Sequence, residues 1–574
     1  MTEAAIDTCD VLVVGSGAGG LSCAVTAAHL GLDVLVAEKA EVFGGTTARS
    51  GGWLWIPCNP LEQAAGMPDS PEEARAYLKS EAGNFYDPDR VDAFLEAGPK
   101  MVEFFFTRTA MEFQLGPTFA DYHPDSEGGK DGGRSIVAAP FDGRALGKDI
   151  ARLRPPLREI TLFGLMIGTG DELKHFFNAT RSLTSAAVVA RLLARFGRDK
   201  ALHGRAMRLT NGNALAGRLM RSALDKGVRL QERSGVVELI EEDGRVVGAV
   251  LETDGRRREV RAARGVVLAA GGFPQDVKRR ADLFPHAPTG AEHLSPAPEG
   301  NTGDGVNLGE TVGGRAHAEL PNAAAWVPVS RVPRPDGTTG VFPHFVDRSK
   351  PGVIAVNRFG ERFVNEANSY HDFIQGLRAS YDARPDDGEV CAWFIADHRT
   401  IRRYGLGYAK AAPLPLGPEL RSGYLKKGDT PEALARAAGF DPDAFAKTLE
   451  AYNGPATQGE DPAYGRGTTS YNRSLGDASH QPNPCVAPVT EGPFYAVKVE
   501  VGDLGTFAGL RTDARARVLK GGDGPPIPGL YAVGNDAASI MGGAYPGGGI
   551  TLGPAMTFGW IAAHDLAEAV VEPA

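Results

Sequence analysis

The sequence is poor in the features that would announce a metal, a disulfide framework, a nucleic-acid partner or a membrane span. Its 574 residues include five cysteines, Cys9, Cys23, Cys58, Cys391 and Cys485, with no CxxC pair and no clustering with histidine. That scatter argues against a zinc site or a disulfide scaffold and fits a reducing compartment, so no metal is expected. Positive charge is not in excess: 61 Lys and Arg stand against 71 Asp and Glu, a formal net charge of −10. Nucleic-acid binding asks for a basic face, which this balance does not supply. Long apolar runs are missing too, and LFGLMIG at 162–168 falls far short of a bilayer span. The N-terminus MTEAAIDTCD is acidic and leads straight into an apolar strand with no signal-peptide pattern, so the expected location is the cytoplasm. One segment keeps a membrane reading open: SAAVVARLLARF at 185–196 has amphipathic helical spacing. An ordinary packed helix is its first reading, and peripheral contact with a membrane surface its second.

Glycine, by contrast, is plentiful at 74 residues, and it gathers after apolar strands. The segment DVLVVGSGAGGLSCAVTAAHLGLDVLVAEKA opens with a continuous apolar run, Val11 to Val14, as buried parallel strands do. A GxGxxG follows: Gly15 suits the turn, Gly17 lets backbone approach a pyrophosphate, and Gly20 lets the helix pack, with Ala18 and Gly19 between them. A second strand ends at Glu38, eighteen residues past Gly20, where a carboxylate can hold ribose hydroxyls. Lys39 comes next. A loop rich in Gly, Thr and Ser, with Gly45, Thr46, Thr47, Ser50, Gly51 and Gly52, then replaces the crossover helix of a plain NAD fold.

Two further strands run into glycine: GVVLAAGGF, ending in Ala270, Gly271 and Gly272, and GLYAVGNDAAS, with Gly534 and Asn535. Three Gly-ended strands from distant sequence fit the long FAD molecule better than NAD, and no second GxGxxG follows a strand. Non-covalent FAD is therefore the expected cofactor. Val237, Asn301, Asp304, Gly549 and Leu552 complete its expected lining, Asp304 by fixing a turn at a domain junction.

A chain of this length exceeds one ordinary core. The expected class is α/β: a discontinuous Rossmann-like FAD-binding domain at 1–285 and 490–574, with an α+β substrate and catalytic domain inserted at 286–489. GVVELIEEDGRVVGAVLE reads as a hairpin turning at Asp243-Gly244. FYAVKVE, from 494, reads as a strand leading back to the nucleotide fold, and GPAMTFGWIAAHDLAEAV as a helix that closes it. Residues 124–204 read as a helical insertion or lid.

One more glycine run, SIMGGAYPGGGITLGPAM, sets five glycines between Gly542 and Gly549 around Tyr545. With GSGAGG, EKAEVFGGTTARSGG, GNTGDG, VNRFGERFVNEANSY and GPFYAVKVEVGDLGT, it resembles flavoproteins of the fumarate reductase and 3-ketosteroid dehydrogenase superfamily over nearly the whole chain. Within that group the resemblance is to the 3-ketosteroid Δ1-dehydrogenases. Fumarate reductases place an arginine proton donor four residues beyond the glutamate of RFVNE, where this chain has Tyr370. The resemblance implies Tyr370 as the base, Tyr122 in FADYHPD as its partner, and Tyr545 with the Gly549 amide as donors to a ketone oxygen. Two departures stand out: YPGGG where YPGPG or YAGAG is usual, and GTFAGL, which puts Phe507 and Ala508 where Lys and Gly are common.

Such residues suit desaturation beside a ketone, in which an α proton and a β hydride must both leave. A phenol and a backbone N–H would stabilise the enolate oxygen, a phenolate would take the proton, and flavin N5 the hydride. The expected substrate is a cyclic ketone, foremost the C1–C2 bond of a 3-ketosteroid, with a quinone or another flavoprotein as electron acceptor. A smaller alicyclic ketone, or the reverse reduction of an enone or fumarate-type alkene, are the alternatives. A flavin-binding module without turnover is a third. His371 is expected to be structural, and Arg362 and Glu366 an ion pair.

Overall fold

The computed structural model describes residues 7–382, 384 and 388–569. Two large sheets organise the chain. The first has eight strands, with Asp7–Val14 between Val34–Ala37 and Arg256–Leu268, and Arg229–Gln231 beyond Val34–Ala37. Val11 pairs in parallel with Val34 on one side and Gly265 on the other. Val11, Leu12 and Val13 are wholly buried, as strands covered on both faces must be. Pro526–Ala532 joins the far side of Arg256–Leu268, so sequence more than 250 residues downstream completes the sheet. The expected hairpin is present: Ser234–Glu242 pairs antiparallel with Arg245–Thr253, and Asp243 and Gly244 both take positive φ at its turn. Two helices, Ala18–His29 and Leu552–Glu568, pack on this sheet and on each other, with Ser22 Oγ donating to the Met556 carbonyl at 2.7 Å.

The second sheet has six strands, all paired antiparallel: Thr339–Pro343, Ala324–Pro333, Phe494–Thr506, Cys391–Asp397 and Val353–Asn357 in order, with Leu425–Gly428 on Phe494–Thr506. This corrects one expectation. Phe494–Thr506 does not lead back into the nucleotide sheet but runs through the middle of the second one, so the boundary set at 490 cuts that sheet in two. Its alternating apolar residues are buried on both faces by flanking strands and helices, which the sequence pattern alone did not distinguish from the nucleotide fold.

The stretch 124–204 is also not a purely helical insertion. Ser135–Ala138 forms a small sheet with Trp53–Trp55 and Phe113–Leu115, and the helices Asp171–Phe177 and Leu183–His203 follow only later. Among the described residues no helix is long and apolar enough to cross a membrane.

Candidate active site

The glycine-ended strands come together as a cradle. Gly15 has φ +104, and a Cβ there would lie 2.3 Å from the Ala269 carbonyl oxygen, so the turn between strand and helix tolerates no side chain. The helix Ala18–His29 starts without a side-chain cap. The N–H groups of Gly17, Gly45 and Thr46 find no protein acceptor among the described residues. A helix N-terminus with free amides suits a phosphate. Thr47 Oγ1 accepts from the Ala18 N–H at 2.9 Å, tying the Gly/Thr loop to the helix start. Asn301 Nδ2 spans Thr46 Oγ1 and the Gly271 carbonyl at 3.0 and 3.2 Å. Glu38 ends its strand buried, its carboxylate accepting the N–H groups of Ser16 and Ala40 at 3.2 and 2.9 Å.

Of the remaining expected lining, Ser50 Oγ accepts the Gly52 N–H, Gly52 abuts the start of the helix at Asn211, and Gly51 lies beside the Trp53 ring. Lys39 pairs with Asp304, the first residue of the helix Asp304–Thr311, so Asp304 does join two parts of the cradle. Val237 sits at a register break in its strand and is 42 % exposed, beside Gly235, which faces Lys39. Gly534 and Asn535 meet Thr506, Phe507, Ile550 and Thr551 around a small cavity, next to Leu552. Asp536, not foreseen, accepts the N–H groups of Ala270 and Gly272 and fixes that glycine turn; burial raises its pKa to about 6.

The three tyrosines meet at one point. Tyr122 and Tyr370 are hydrogen-bonded hydroxyl to hydroxyl at 2.9 Å. The Tyr545 ring stacks on Tyr122 at 5.4 Å between centroids and meets Tyr370 edge-on at 5.0 Å. All three are buried, at 6 %, 6 % and 4 % exposure for Tyr122, Tyr370 and Tyr545. The loop that carries Tyr545 is fixed through its neighbour, since the Pro546 carbonyl accepts both the Tyr122 N–H and the Tyr77 hydroxyl, at 2.8 and 2.6 Å.

Gly549 has φ +107, a Cβ there would lie 2.6 Å from the Leu54 backbone, and its own N–H has no protein acceptor among the described residues. The two glycines before it pack against Phe119 and Trp55. The glycine run is therefore a buried wall, packed against Phe119, Trp55 and the Leu54 backbone, and not a mobile loop. Phe507, one of the two departures, lies 6.1 Å from the Tyr545 ring and packs on it.

Burial pushes the Tyr370 phenol well above its ordinary value, and the neighbouring Tyr122 and Tyr545 add to the rise. A base at that position needs positive charge nearby. Arg348 supplies it: its guanidinium lies 5.9 Å from the Tyr370 ring centroid, fully buried, and no carboxylate lies within ion-pair distance among the described residues. It donates to the carbonyls of Glu366 and Asn368, just ahead of Tyr370, and to the Tyr471 hydroxyl at 3.4 Å. The Tyr471 ring in turn packs against Tyr122, tilted by 42° at 4.5 Å between centroids. Neither Arg348 nor Tyr471 was picked out from sequence, because both sit far from the quoted motifs and only the fold brings them in.

Tyr370 is the first residue of the helix Tyr370–Asp382, and Ser369 Oγ caps it by accepting the Asp372 N–H. The segment before it is held by the expected ion pair, Arg362–Glu366 at 2.7 Å, extended by Asp461 and Arg466 into a buried network. Burial opposes the charge on Glu366, yet Arg362 and Arg466 hold its carboxyl below the ordinary range. His371 is structural: its Nδ1 accepts the Trp326 N–H at 3.1 Å, and burial lowers its pKa to about 4, leaving it neutral. His123, directly after Tyr122, bridges Glu81 at 2.6 Å and Asp372 at 2.7 Å. Burial works against its charge, but the two carboxylates raise its pKa to about 10.

Elsewhere, Cys58, Glu62 and Asp69 bring ligand atoms within 4.8 Å of one another, but the Asp69 carboxylate is already engaged by Arg134.

A strand–glycine–helix cradle with free amides, together with a buried tyrosine cluster drawn from three distant segments, defines a flavoprotein oxidoreductase. The chain belongs to the FAD binding domain family, whose model matches residues 10–552, and within it to the cyclic-ketone dehydrogenases. It is 43% identical to the 4-oxocyclohex-2-ene-1-carboxylate 5-dehydrogenase of Sinomonas cyclohexanicum, over 97% of this chain and 94% of that one. It is 38% identical to the 3-oxosteroid 1-dehydrogenase of Mycolicibacterium smegmatis, over 97% of both chains. The solved 3-ketosteroid Δ1-dehydrogenase of Sterolibacterium denitrificans, in complex with 1,4-androstadiene-3,17-dione, matches with a TM-score of 0.89 at 37% identity, covering 98% and 99% of the two chains. The protein is thus an FAD-dependent dehydrogenase of the 3-oxosteroid 1-dehydrogenase type, acting on CH–CH groups.

Proposed function

We propose that this enzyme desaturates the carbon–carbon bond α,β to the carbonyl of a ring ketone, and that the ring is the A ring of a 3-ketosteroid, desaturated at C1–C2. The observation that carries the reading is the tyrosine cluster: a Tyr122–Tyr370 hydroxyl pair at 2.9 Å against the Tyr545 ring, with Gly549, four residues past Tyr545, carrying an N–H that has no protein acceptor among the described residues. Tyr545 and Gly549 hold the ketone oxygen and stabilise the enolate as it forms. Tyr370 removes the α proton, with Tyr122 donating to its oxygen and the Arg348 charge opposing the effect of burial. Bound FAD supplies the acceptor for the β hydride. The cradle would hold it through Gly17, Gly45, Thr46, Glu38, Asn301 and Asn535.

Around the tyrosines the walls are aromatic, with Phe345 at 5.6 Å from the Tyr370 ring and Phe507 beside Tyr545. That lining favours an apolar ring system. Arg348 is engaged by backbone carbonyls and Tyr471, which leaves it poorly placed to bind a substrate carboxylate. A second reading has its own support in the 43% identity to the 4-oxocyclohex-2-ene-1-carboxylate enzyme: a small ring acid in place of the steroid.

The test is anaerobic mixing of the yellow protein with 4-androstene-3,17-dione and, separately, with 4-oxocyclohex-2-ene-1-carboxylate and cyclohexanone, following flavin absorbance. Bleaching by the steroid with formation of the 1,4-diene is the expected result. Bleaching by a small ring alone would move the substrate and keep the chemistry. No bleaching by any ketone, with reoxidation of reduced flavin by an enone, would reverse the assigned direction. A quinone is the proposed electron acceptor, and efficient direct reduction of the flavin by NADH would count against it.

A further inference from the structure

Two buried histidines and a buried aspartate, none of them used by the mechanism above, form one hydrogen-bonded chain at the edge of the second sheet. His286 Nε2 lies 2.9 Å from His293 Nδ1, and His293 Nε2 lies 2.6 Å from Asp503 Oδ2. The His293 and Asp503 side chains are wholly buried. Both imidazole rings pack against Phe284 and Trp326. Burial lowers the pKa of both histidines, well below the ordinary value at His286, and it does so at His293 despite the carboxylate beside it. Both are therefore neutral.

The order of the protons follows from the partners. The Asp503 carboxylate accepts, so His293 carries its proton on Nε2 and accepts at Nδ1, and His286 carries its own on Nε2. His286 Nδ1 is left buried with no partner among the described residues. A polar chain with an unpaired end is costly in an apolar core, and its other end shows what it holds. Asp503 Oδ1 accepts the Gly505 N–H at 2.6 Å and the Ser295 hydroxyl at 3.2 Å. Gly505 belongs to a bulge: Asp503 pairs with Trp326 and Thr506 with Ala324, so Leu504 and Gly505 stand opposite Ala325 alone. A bulge bends its strand and re-aims the side chains around it. Gly505 has φ +118, and a Cβ there would lie 2.0 Å from Asn535 Nδ2, in the cofactor cradle. Thr506 Oγ1 lies 3.5 Å from the Asn535 carbonyl oxygen, in the space that a side chain at Gly272 would need. Phe507 follows and packs on Tyr545.

We propose that Asp503, oriented by His293 and His286, is a positioning residue for the dehydrogenation: it sets the bulge that aligns Asn535 on the cofactor and Phe507 on Tyr545. The inference rests on the reading that the cradle and the tyrosine cluster together form the active site. Asp503 itself touches neither substrate nor cofactor in this scheme. It acts through the Gly505 N–H, and the two histidines leave its carboxylate one orientation.

The test starts with the FAD-loaded parent, whose imidazole nitrogens are read by NMR: His286 and His293 should both carry the proton on Nε2 and have a bare Nδ1. His293→Gln keeps a donor toward Asp503 and an acceptor toward His286, whereas His293→Leu keeps neither. Asp503→Asn turns the chain around, since its amide donates to His293 Nε2 and drives the proton of each histidine to Nδ1. Flavin reduction by a cyclic ketone should stay within about threefold of the parent in His293→Gln and fall about 10²-fold in His293→Leu and Asp503→Asn, at similar KM, as expected for a misplacement of about 1 Å. The flavin's visible absorption and midpoint potential should shift in those two variants and not in His293→Gln, a readout that needs no substrate. Parental rates and flavin properties in Asp503→Asn, equal losses in His293→Gln and His293→Leu, or a parent His293 protonated on Nδ1 would each overturn the proposal. The parent spectrum and the isosteric Asp503→Asn decide the matter even where His293→Leu fails to fold. A parent that no ketone bleaches would sink the substrate reading instead, and the flavin potentials would still decide this one.

Discussion

The base role proposed for Tyr370 shows how much a site's surroundings must do for a phenol to take a proton near neutral pH. Burial and two neighbouring tyrosines raise its pKa, while Arg348 lies against its ring with no carboxylate within ion-pair distance among the described residues. Because the folded-state pKa stays above the ordinary phenol value, the phenolate fraction is small at neutral pH and grows as pH rises. The logarithm of kcat/KM should therefore climb with pH at a slope of about one through the neutral and mildly alkaline range; a flat profile in stopped-flow flavin reduction would remove Tyr370 from the base role. Tyr370→Phe should reduce flavin at least about 10²–10⁴-fold more slowly while keeping FAD bound. On the proposed mechanism Tyr545→Phe deletes one of two donors to the enolate oxygen, with an expected loss of about 10²–10³ in kcat. Tyr471→Phe, which breaks the link from Arg348 toward Tyr122, should move the rise in the profile to higher pH with flavin content unchanged.

At the scale of elements, the turn between Asp7–Val14 and Ala18–His29 is the least forgiving part of the molecule. A methyl at Gly15 would press into the Ala269 carbonyl of the neighbouring strand. Gly15→Ala should thus yield protein with little or no bound flavin, read from the ratio of absorbance at 450 nm to that at 280 nm, an outcome that normal flavin content would refute. This element was legible from sequence because its signals are local: a buried strand, a spaced glycine set and an acid at the end of the next strand all lie within forty residues. The tyrosine cluster was legible only through resemblance, since Tyr122, Tyr370 and Tyr545 come from three distant segments and no spacing rule unites them. Arg348, Tyr471 and Asp536 were not legible at all; each is an ordinary residue until folding brings distant segments together. Phe494–Thr506 was assigned to the wrong sheet for a related reason. An apolar strand carries its own period but not the identity of its neighbours.

For the whole molecule, one contact joins segments that come from opposite ends of the fold. His123, joined to Glu81 on one side and Asp372 on the other, ties the segment carrying Tyr122 to the helix that starts at Tyr370. Its pKa is raised to about 10, so its stabilising contribution is fully present below the unfolded value of about 6.5 and is lost as pH rises through about 10. His123→Gln should lower the thermal midpoint by a few degrees near pH 7, and the difference from the parent should shrink above pH 10. An unchanged midpoint at pH 7, measured by calorimetry on the FAD-loaded protein, would show that the bridge contributes nothing.

The packing of Leu552–Glu568 on Ala18–His29 has a consequence for how the protein is made. A ribosome releases the chain in order, so the second sheet can be complete while the partner of the first helix is still inside the exit tunnel. The half-built nucleotide fold must wait through the synthesis of several hundred residues with its apolar helix face uncovered. Flavin capture is then a late event, following release of the finished chain, and nascent chains stalled before residue 552 should emerge colourless and in need of a chaperone.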